Sequence, residues 1–162
     1  MKTVLLLLII STSSFAQDAQ KEINEQVWKP FIKGFSEGDT DLFMSVHSKD
    51  LVRSGRDSGK VLNWDQYCKQ TAEGNKRRKE RNQKMWIELC FTERINNENQ
   101  AIDVGIYATS WSSPESRTAV SYGRFHVVHR KENGVWKILV DTDSSEGETI
   151  GEKQFLAAKP ME

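Results

Sequence analysis

The chain has 162 residues, room for one ordinary domain and not for two. Its 23 basic residues balance 23 acidic ones, which excludes a protein drawn to nucleic acid or anionic membrane by overall charge. Two cysteines are too few for a disulfide scaffold, and neither belongs to a Cys-x-x-Cys motif.

The chain opens on Met1-Lys2 and an apolar run from Val4 to Ile10. Small polar residues follow, and Ser14-Phe15-Ala16 ends the segment. This is the layout of a secretory signal peptide, cleaved before Gln17. The apolar run is much shorter than the ~20 residues that span a bilayer, so the cleaved chain is expected to be exported, to the periplasm or outside the cell, without a membrane contact. Cleavage removes Lys2 and no acidic residue, leaving a balance of −1.

Ile23, Val27, Phe31 and Phe35 recur every four residues, with Trp28 and Ile32 beside them, and predict the apolar stripe of a helix. Pro30 lacks an amide proton, so it should kink this helix or mark its first turn. Gly34 and Gly38 end it. Asp39 or Thr40 can cap a second, shorter helix carrying Leu42, Phe43 and Val46. Ser54 to Gly59 reads as a hairpin or loop. Asn63 is placed to cap a third helix, with Gln66 as its capping-box partner and Trp64, Tyr67, Cys68 and Thr71 as its inner stripe. That helix frays into Lys76-Arg77-Arg78-Lys79-Glu80-Arg81.

From Met85 the period is two. Strands are expected around Met85–Phe91, Ile102–Tyr107, Arg124–Val127 and Trp136–Asp141, divided at Asn96–Asn99, Ser112-Ser113-Pro114 and Glu132-Asn133-Gly134. Four strands joined by turns make an antiparallel meander. Helices followed by a meander define an α+β domain over residues 17–146, after a signal peptide at 1–16. Residues 147–162 form a tail with a short helix at Glu152–Ala158 docking Phe155 and Leu156. Alternation assigns Ile87, Leu89, Ile102, Val104, Ile106, Phe125, Val127, Ile138 and Val140 to one apolar face under the helices. Cys68 then lies on a covered helix stripe while Cys90 points away from it, so free thiols are expected although export permits a disulfide.

The opening helix with Phe31 and Phe35, the Gly38-Asp39 break, and the segment Ser48-Lys49-Asp50-Leu51-Val52-Arg53 together resemble the nuclear transport factor 2-like superfamily, in its SnoaL-like and ketosteroid-isomerase-like branch. Tyr122-Gly123-Arg124-Phe125 and the terminal strand Asn133-Gly134-Val135-Trp136-Lys137-Ile138 extend the resemblance to roughly residues 20–143. It implies a curved antiparallel sheet wrapped around about three N-terminal helices, a cystatin-like cone with a pocket at its open end. Members include isomerases, cyclases and dehydratases, so fold alone does not set the function. No acid or tyrosine here can be matched position by position to that branch's catalytic residues, and the catalytic set stays unknown.

The other sheet face mixes aromatic and charged groups: Trp86, Cys90, Asp103, Tyr107, Trp111, Tyr122, Arg124, His126, Leu139 and Asp141. It is either a homodimer interface, which favours Tyr, Trp and Arg, or, where a bulge turns it, part of the cone's mouth. Trp28, Phe31 and Phe35 are the expected apolar pocket walls. Arg53, Tyr107, Arg124, His126 and Asp141 are the candidate polar groups. Arg53 could fork onto a ligand carboxylate, or simply pair with Asp57 or Asp50. His126 could be a base or an anchor, but His126 and His129 point to opposite strand faces and do not suggest a metal site. His47, at the end of the second helix, sits where its ring can meet the helix dipole. The basic run 76–81 lacks interleaved aromatics and reads as a solvated helix end. No cofactor motif is present. Three functions follow as expectations: binding of a small hydrophobic or amphipathic molecule, a non-catalytic homodimeric association domain, or an isomerase or cyclase.

Overall fold

The structure, a computed structural model, describes residues 12–113 and 116–161, with side chains over 18–113 and 120–161. The apolar run of the expected signal peptide and the turn at Pro114 lie outside the described residues. None of the described helices is long and apolar enough to cross a membrane.

Helix α1 (Thr12–Ile23) passes through a π-helical turn (Asn24–Trp28) into α2 (Lys29–Glu37), and the backbone stays right-handed helical at both junctions. A strict four-residue repeat outruns an α-helix of 3.6 residues per turn. The wider π turn takes up that drift and keeps Ile23, Val27 and Trp28 buried. Pro30 follows directly, within the first turn of α2, where its missing amide matters least. Gly38 ends α2 with a left-handed φ of 68°. Asp39 caps α3 (Thr40–Ser45) by accepting the Leu42 amide at 2.9 Å. Gly34 is required where α3 crosses α2, because a Cβ there would stand 2.6 Å from the Phe43 nitrogen.

Strand β1 (His47–Gly55) turns through Arg56–Ser58 into β2 (Lys60–Leu62). Helix α4 (Trp64–Glu80) starts on the expected capping box, Asn63 and Gln66 exchanging two 3.0 Å hydrogen bonds. The meander follows as β3 (Lys84–Asn96), β4 (Gln100–Ser113), β5 (Ser116–Glu132) and β6 (Val135–Ser144). Helix α5 (Glu152–Ala157) and β7 (Lys159–Pro160) close the chain. The sheet order is β2-β1-β6-β5-β4-β3-β7, seven strands rather than four. Only β1 against β6 is parallel. The architecture is α+β, a curved, unclosed sheet with the N-terminal helices on its concave side. Both cysteines are free.

Two expectations about faces are corrected. Ile102, Val104 and Ile106 do not join Leu89 and Phe125. Register places Leu89 opposite Tyr107, and Phe91 and Phe125 opposite Gly105, so Asp103, Gly105 and Tyr107 face the helices. Ile106 is nonetheless buried, because α5 packs against β4 on the convex side. In β6, register shifts at Leu139, so Ile138 and Asp141 both lie on the concave side opposite His129 and Val127. The tail docks through Phe155, whose ring lies 5.9 Å from that of Tyr122, while Leu156 is 73% exposed.

The long helix is fixed to the sheet by polar contacts as well as apolar ones. Trp28 Nε1 donates to Asp103 Oδ2 at 2.7 Å, deep in the core. Arg94 donates to both oxygens of Asp103, at 2.9 and 3.1 Å, and His129 Nε2 lies 3.1 Å from Oδ2. At the other end of the helix, Glu22 accepts from the Trp136 indole at 2.8 Å. Burial opposes the charge on Asp103, but the His129 and Arg94 hydrogen bonds outweigh it and hold the carboxyl below its ordinary value. Its stabilisation is therefore present above the unfolded value near 3.8 and lost as pH falls through the lower folded one. Asp103→Ala should lower stability by about 3–5 kcal/mol at neutral pH, since it strands the largely buried Arg94 and the buried Trp28 and His129 ring nitrogens. In denaturant unfolding the deficit should narrow below pH 3.8. A deficit under about 1 kcal/mol, within reach of one ordinary hydrogen bond, would contradict the network's role.

Candidate functional site

Between α2, α3, α4 and the concave sheet face lies a cavity of about 210 Å³. Trp28, Phe31 and Phe35 form its helical wall. Phe43 closes it from α3, and Ile87, Leu89, Phe125 and Val127 supply the sheet wall. The rings pack edge to face: Trp28 lies 5.6 Å from Phe31 and 5.7 Å from Phe91, within the usual range for aromatic pairs.

The polar end is assembled by the parallel pairing of β1 with β6. Register sets Arg53 beside Asp141 and Gly55 beside Asp143, so alternation brings the guanidinium and two carboxylates to one side. Arg53 Nη2 lies 2.9 Å from Asp143 Oδ2, and Nε lies 3.4 Å from Asp141 Oδ2. Nη1 donates to the Ser54 carbonyl at 2.6 Å. The Arg53 side chain is only 15% exposed, and its guanidinium stands 5.4 Å from the centre of the Tyr67 ring. Tyr107 completes the group from β4. It crosses β5 at Gly123, where a Cβ would lie 2.4 Å from the phenol oxygen.

Burial sets the protonation of these groups. It raises Asp141 and Asp143 above the ordinary aspartate value, with Arg53 pulling each back only in part. Burial also raises Tyr67 and pushes Tyr107 up to about 12, so both phenols keep their protons at neutral pH. The end of the cavity thus combines phenol donors with carboxyls that can exchange a proton. Its charge is −1 with both carboxyls ionised and zero with one protonated.

Arg53, Tyr107 and Asp141 meet in the cavity with the three helical aromatics, whereas Arg124 and His126 do not join them. Those two alternate with Phe125 onto the convex face, where Arg124 pairs with Glu146 at 2.8 Å and His126 is exposed. The carboxylate partners of Arg53 are Asp141 and Asp143, not Asp57 or Asp50. Asp57 accepts instead from Ser144 Oγ and the Ser145 amide, both at 2.6 Å, and Asp50 pairs with Arg130 at 2.6 Å. Sequence reasoning left out Asp143, Tyr67 and Thr109. The two-residue step from Asp141 was signal enough for Asp143, and the α4 stripe for Tyr67. His47 is buried outside the cavity lining, its Nδ1 2.9 Å from the Phe43 carbonyl oxygen, and burial pushes its pKa down to about 3. Among the described residues no group of three His, Cys, Asp or Glu side chains could hold a metal.

Because folding favours their neutral forms, Asp141 and Asp143 erode stability as pH rises from 3.8 through their folded values, opposite in sign to Asp103. Carboxyl-carbon NMR titration should place Asp141 and Asp143 above 3.8 and Asp103 below it. An Asp141 midpoint below that of Asp103 would overturn the assignment.

No protein-family model matches the sequence, and no curated protein matches it. Solved structures do. A protein of unknown function from Shewanella oneidensis, described as nuclear transport factor 2-like, superposes with a TM-score of 0.60 at 21% identity, over 78% of this chain and 98% of that one. A nuclear transport factor 2-like protein with a cystatin-like fold from Novosphingobium aromaticivorans gives 0.65 at 8% identity, over 78% and 81%. A scytalone dehydratase-like protein from the same organism gives 0.64 at 14% identity, over 82% and 87%. The arrangement of the helices and the curved sheet is that of the nuclear transport factor 2-like fold.

Proposed function

We propose that this domain binds a small, mostly apolar ring compound in the cone cavity and orients it by a neutral hydrogen-bonding group at the Arg53–Asp141–Asp143 end. The supporting observation is an aromatic-walled cavity of about 210 Å³ with a charged cluster at one end only. A cavity near 150 Å³ already takes up benzene, and drug-sized ligands need about 300 Å³ or more, so the fitting class has about one ring. Arg53 is already held by the Asp143 carboxylate and by the Ser54 and Asp141 carbonyl oxygens, which disfavours a ligand carboxylate at this end. A hydroxyl that donates to a carboxyl and accepts from Tyr107 suits it better. The N-terminal sequence supports placing this binding domain outside the cytoplasm, after cleavage before Gln17.

Proton transfer is a second reading, favoured by the raised carboxyls beside protonated phenols. Self-association through the convex sheet face is a further proposal, supported by Trp86 and Ile102, each 43% exposed there.

Native mass spectrometry of protein purified without detergent tests ligand binding and subunit count together. With p-cresol as probe it should show one molecule per subunit. Thr109→Phe, which fills the cavity, should abolish the complex. Tyr107→Phe should weaken it about two- to tenfold, the worth of one hydrogen bond. Arg53→Ala is a poor test, because it strands the buried Asp141 and the half-buried Asp143 and destabilises the fold. Absence of the complex, or a complex unaffected by Thr109→Phe, would contradict the cavity reading. A purely monomeric spectrum would contradict self-association.

A further inference from the structure

Outside the cone cavity lies a second hollow of about 310 Å³, between the end of α2, the last turns of α4 and the start of β3. The two share Phe35, Phe43 and Tyr67 as walls, so the outer hollow adjoins the inner one across these three rings. Its lining is apolar at Phe35, Phe43, Tyr67 and Met85, and basic at Arg77, Arg78 and Arg81. No aspartate or glutamate lines it.

The arginines differ in what they do. Arg78 is committed to the fold: its guanidinium donates to the Phe35 carbonyl at 2.7 Å and the Ser36 carbonyl at 3.1 Å, tying α4 to the end of α2. Arg77 and Arg81 are exposed, and neither makes an ion pair with a described residue. Their acidic neighbours on the same helix, Glu73 and Glu80, are also exposed and form no bridge to them. Four residues apart, Arg77 and Arg81 share one helix face. The basic run that reads from sequence as a solvated helix end therefore puts two uncommitted cations at the mouth of an aromatic cavity.

The two adjoining hollows differ in charge. The polar end of the inner one carries one arginine against two carboxyls and is neutral or negative unless both are protonated. The outer one is positive. We infer that the ligand is an amphipathic anion, a ring compound bearing a carboxylate or similar group, which seats its ring in the cone cavity and holds its anionic end outward between Arg77 and Arg81. This rests on the binding role proposed for the inner cavity. The inner carboxylates repel the anionic end and the outer arginines attract it, so one orientation is selected. A planar guanidinium suits a carboxylate through paired N–H donors.

The test compares 3-phenylpropionate with 3-phenylpropanol, which share the ring and linker and differ in the anionic group. Calorimetry on the full mature chain should show the acid binding about three- to tenfold more tightly than the alcohol, the scale of two partly exposed ion pairs. The preference should shrink as salt rises, because the pairs face solvent. Arg77→Gln combined with Arg81→Gln should bring the acid down to the alcohol's affinity and leave the alcohol unchanged. These residues are exposed, so the variant should unfold at the wild-type temperature. Arg77→Lys with Arg81→Lys should retain most of the preference. Equal affinity of the two probes for the wild-type chain, or equal loss of both in the glutamine variant, would overturn the inference while leaving the inner cavity's role intact. Failure of both probes to bind the wild-type chain would overturn that role and the inference together.

Discussion

The hydrogen bond from the Trp28 indole to Asp103 sets the distance and angle at which the long helix crosses the sheet. Once that contact is fixed, Phe31 and Phe35, three and seven residues on, hang over the open part of the cone instead of sinking into the sheet. The sheet accommodates the contact by leaving space beside it. Gly105, next but one to Asp103, has no side chain because a Cβ there would lie 2.2 Å from the Cys90 carbonyl oxygen and 2.5 Å from the Phe125 ring. The helix therefore approaches closely at Asp103, and further along, where Tyr107 and Thr109 replace glycine, the surfaces part and a cavity remains.

Two buried acidic clusters sit on the same concave face and are handled in opposite ways. Asp103 receives donors from Trp28, Arg94 and His129 and is held charged, so its lone pairs are used by the fold. Asp141 and Asp143 share a single arginine and are driven toward their neutral forms. A saturated cluster serves to hold the structure. An under-supplied one retains acceptor and proton-exchange capacity that a ligand can use, and its two carboxyls line the cavity. Within the fold these physical differences separate the candidate site from the structural core more sharply than does the identity of the residues.

Local features were legible in the sequence: the aromatic helix stripe, the Asp39 and Asn63 caps, the hairpin after Arg53 and the long strands all follow from period, capping and turn chemistry. What was hidden depends on contacts between distant segments. Nothing near Arg53 announces that β1 lies parallel to β6, and that pairing alone gives Arg53 its partners Asp141 and Asp143. The bulge at Leu139 reverses the inward set within β6, so simple alternation puts Ile138 and Asp141 on opposite faces when they share one. Ile102, Val104 and Ile106 read as the inward set of β4 because they are apolar, yet the tail covers part of the convex face and rewards apolar residues there too. Arg124 and His126 failed to reach the cavity for the same reason of parity. The outer hollow was missed because Arg77 and Arg81 gain meaning only when α4 is laid beside Phe35 and Met85.

The central claim is that the space under Trp28 receives a ligand, and the indole N–H of Trp28 reports on it directly. Trp28 lines the cavity and donates to Asp103 within the core, while Trp86 is 43% exposed on the convex face and serves as an internal control. In a nitrogen–proton NMR spectrum titrated with p-cresol, the Trp28 indole resonance should move saturably and the Trp86 resonance should stay in place. A stationary Trp28 signal, or shifts of equal size in both tryptophans, would contradict the account.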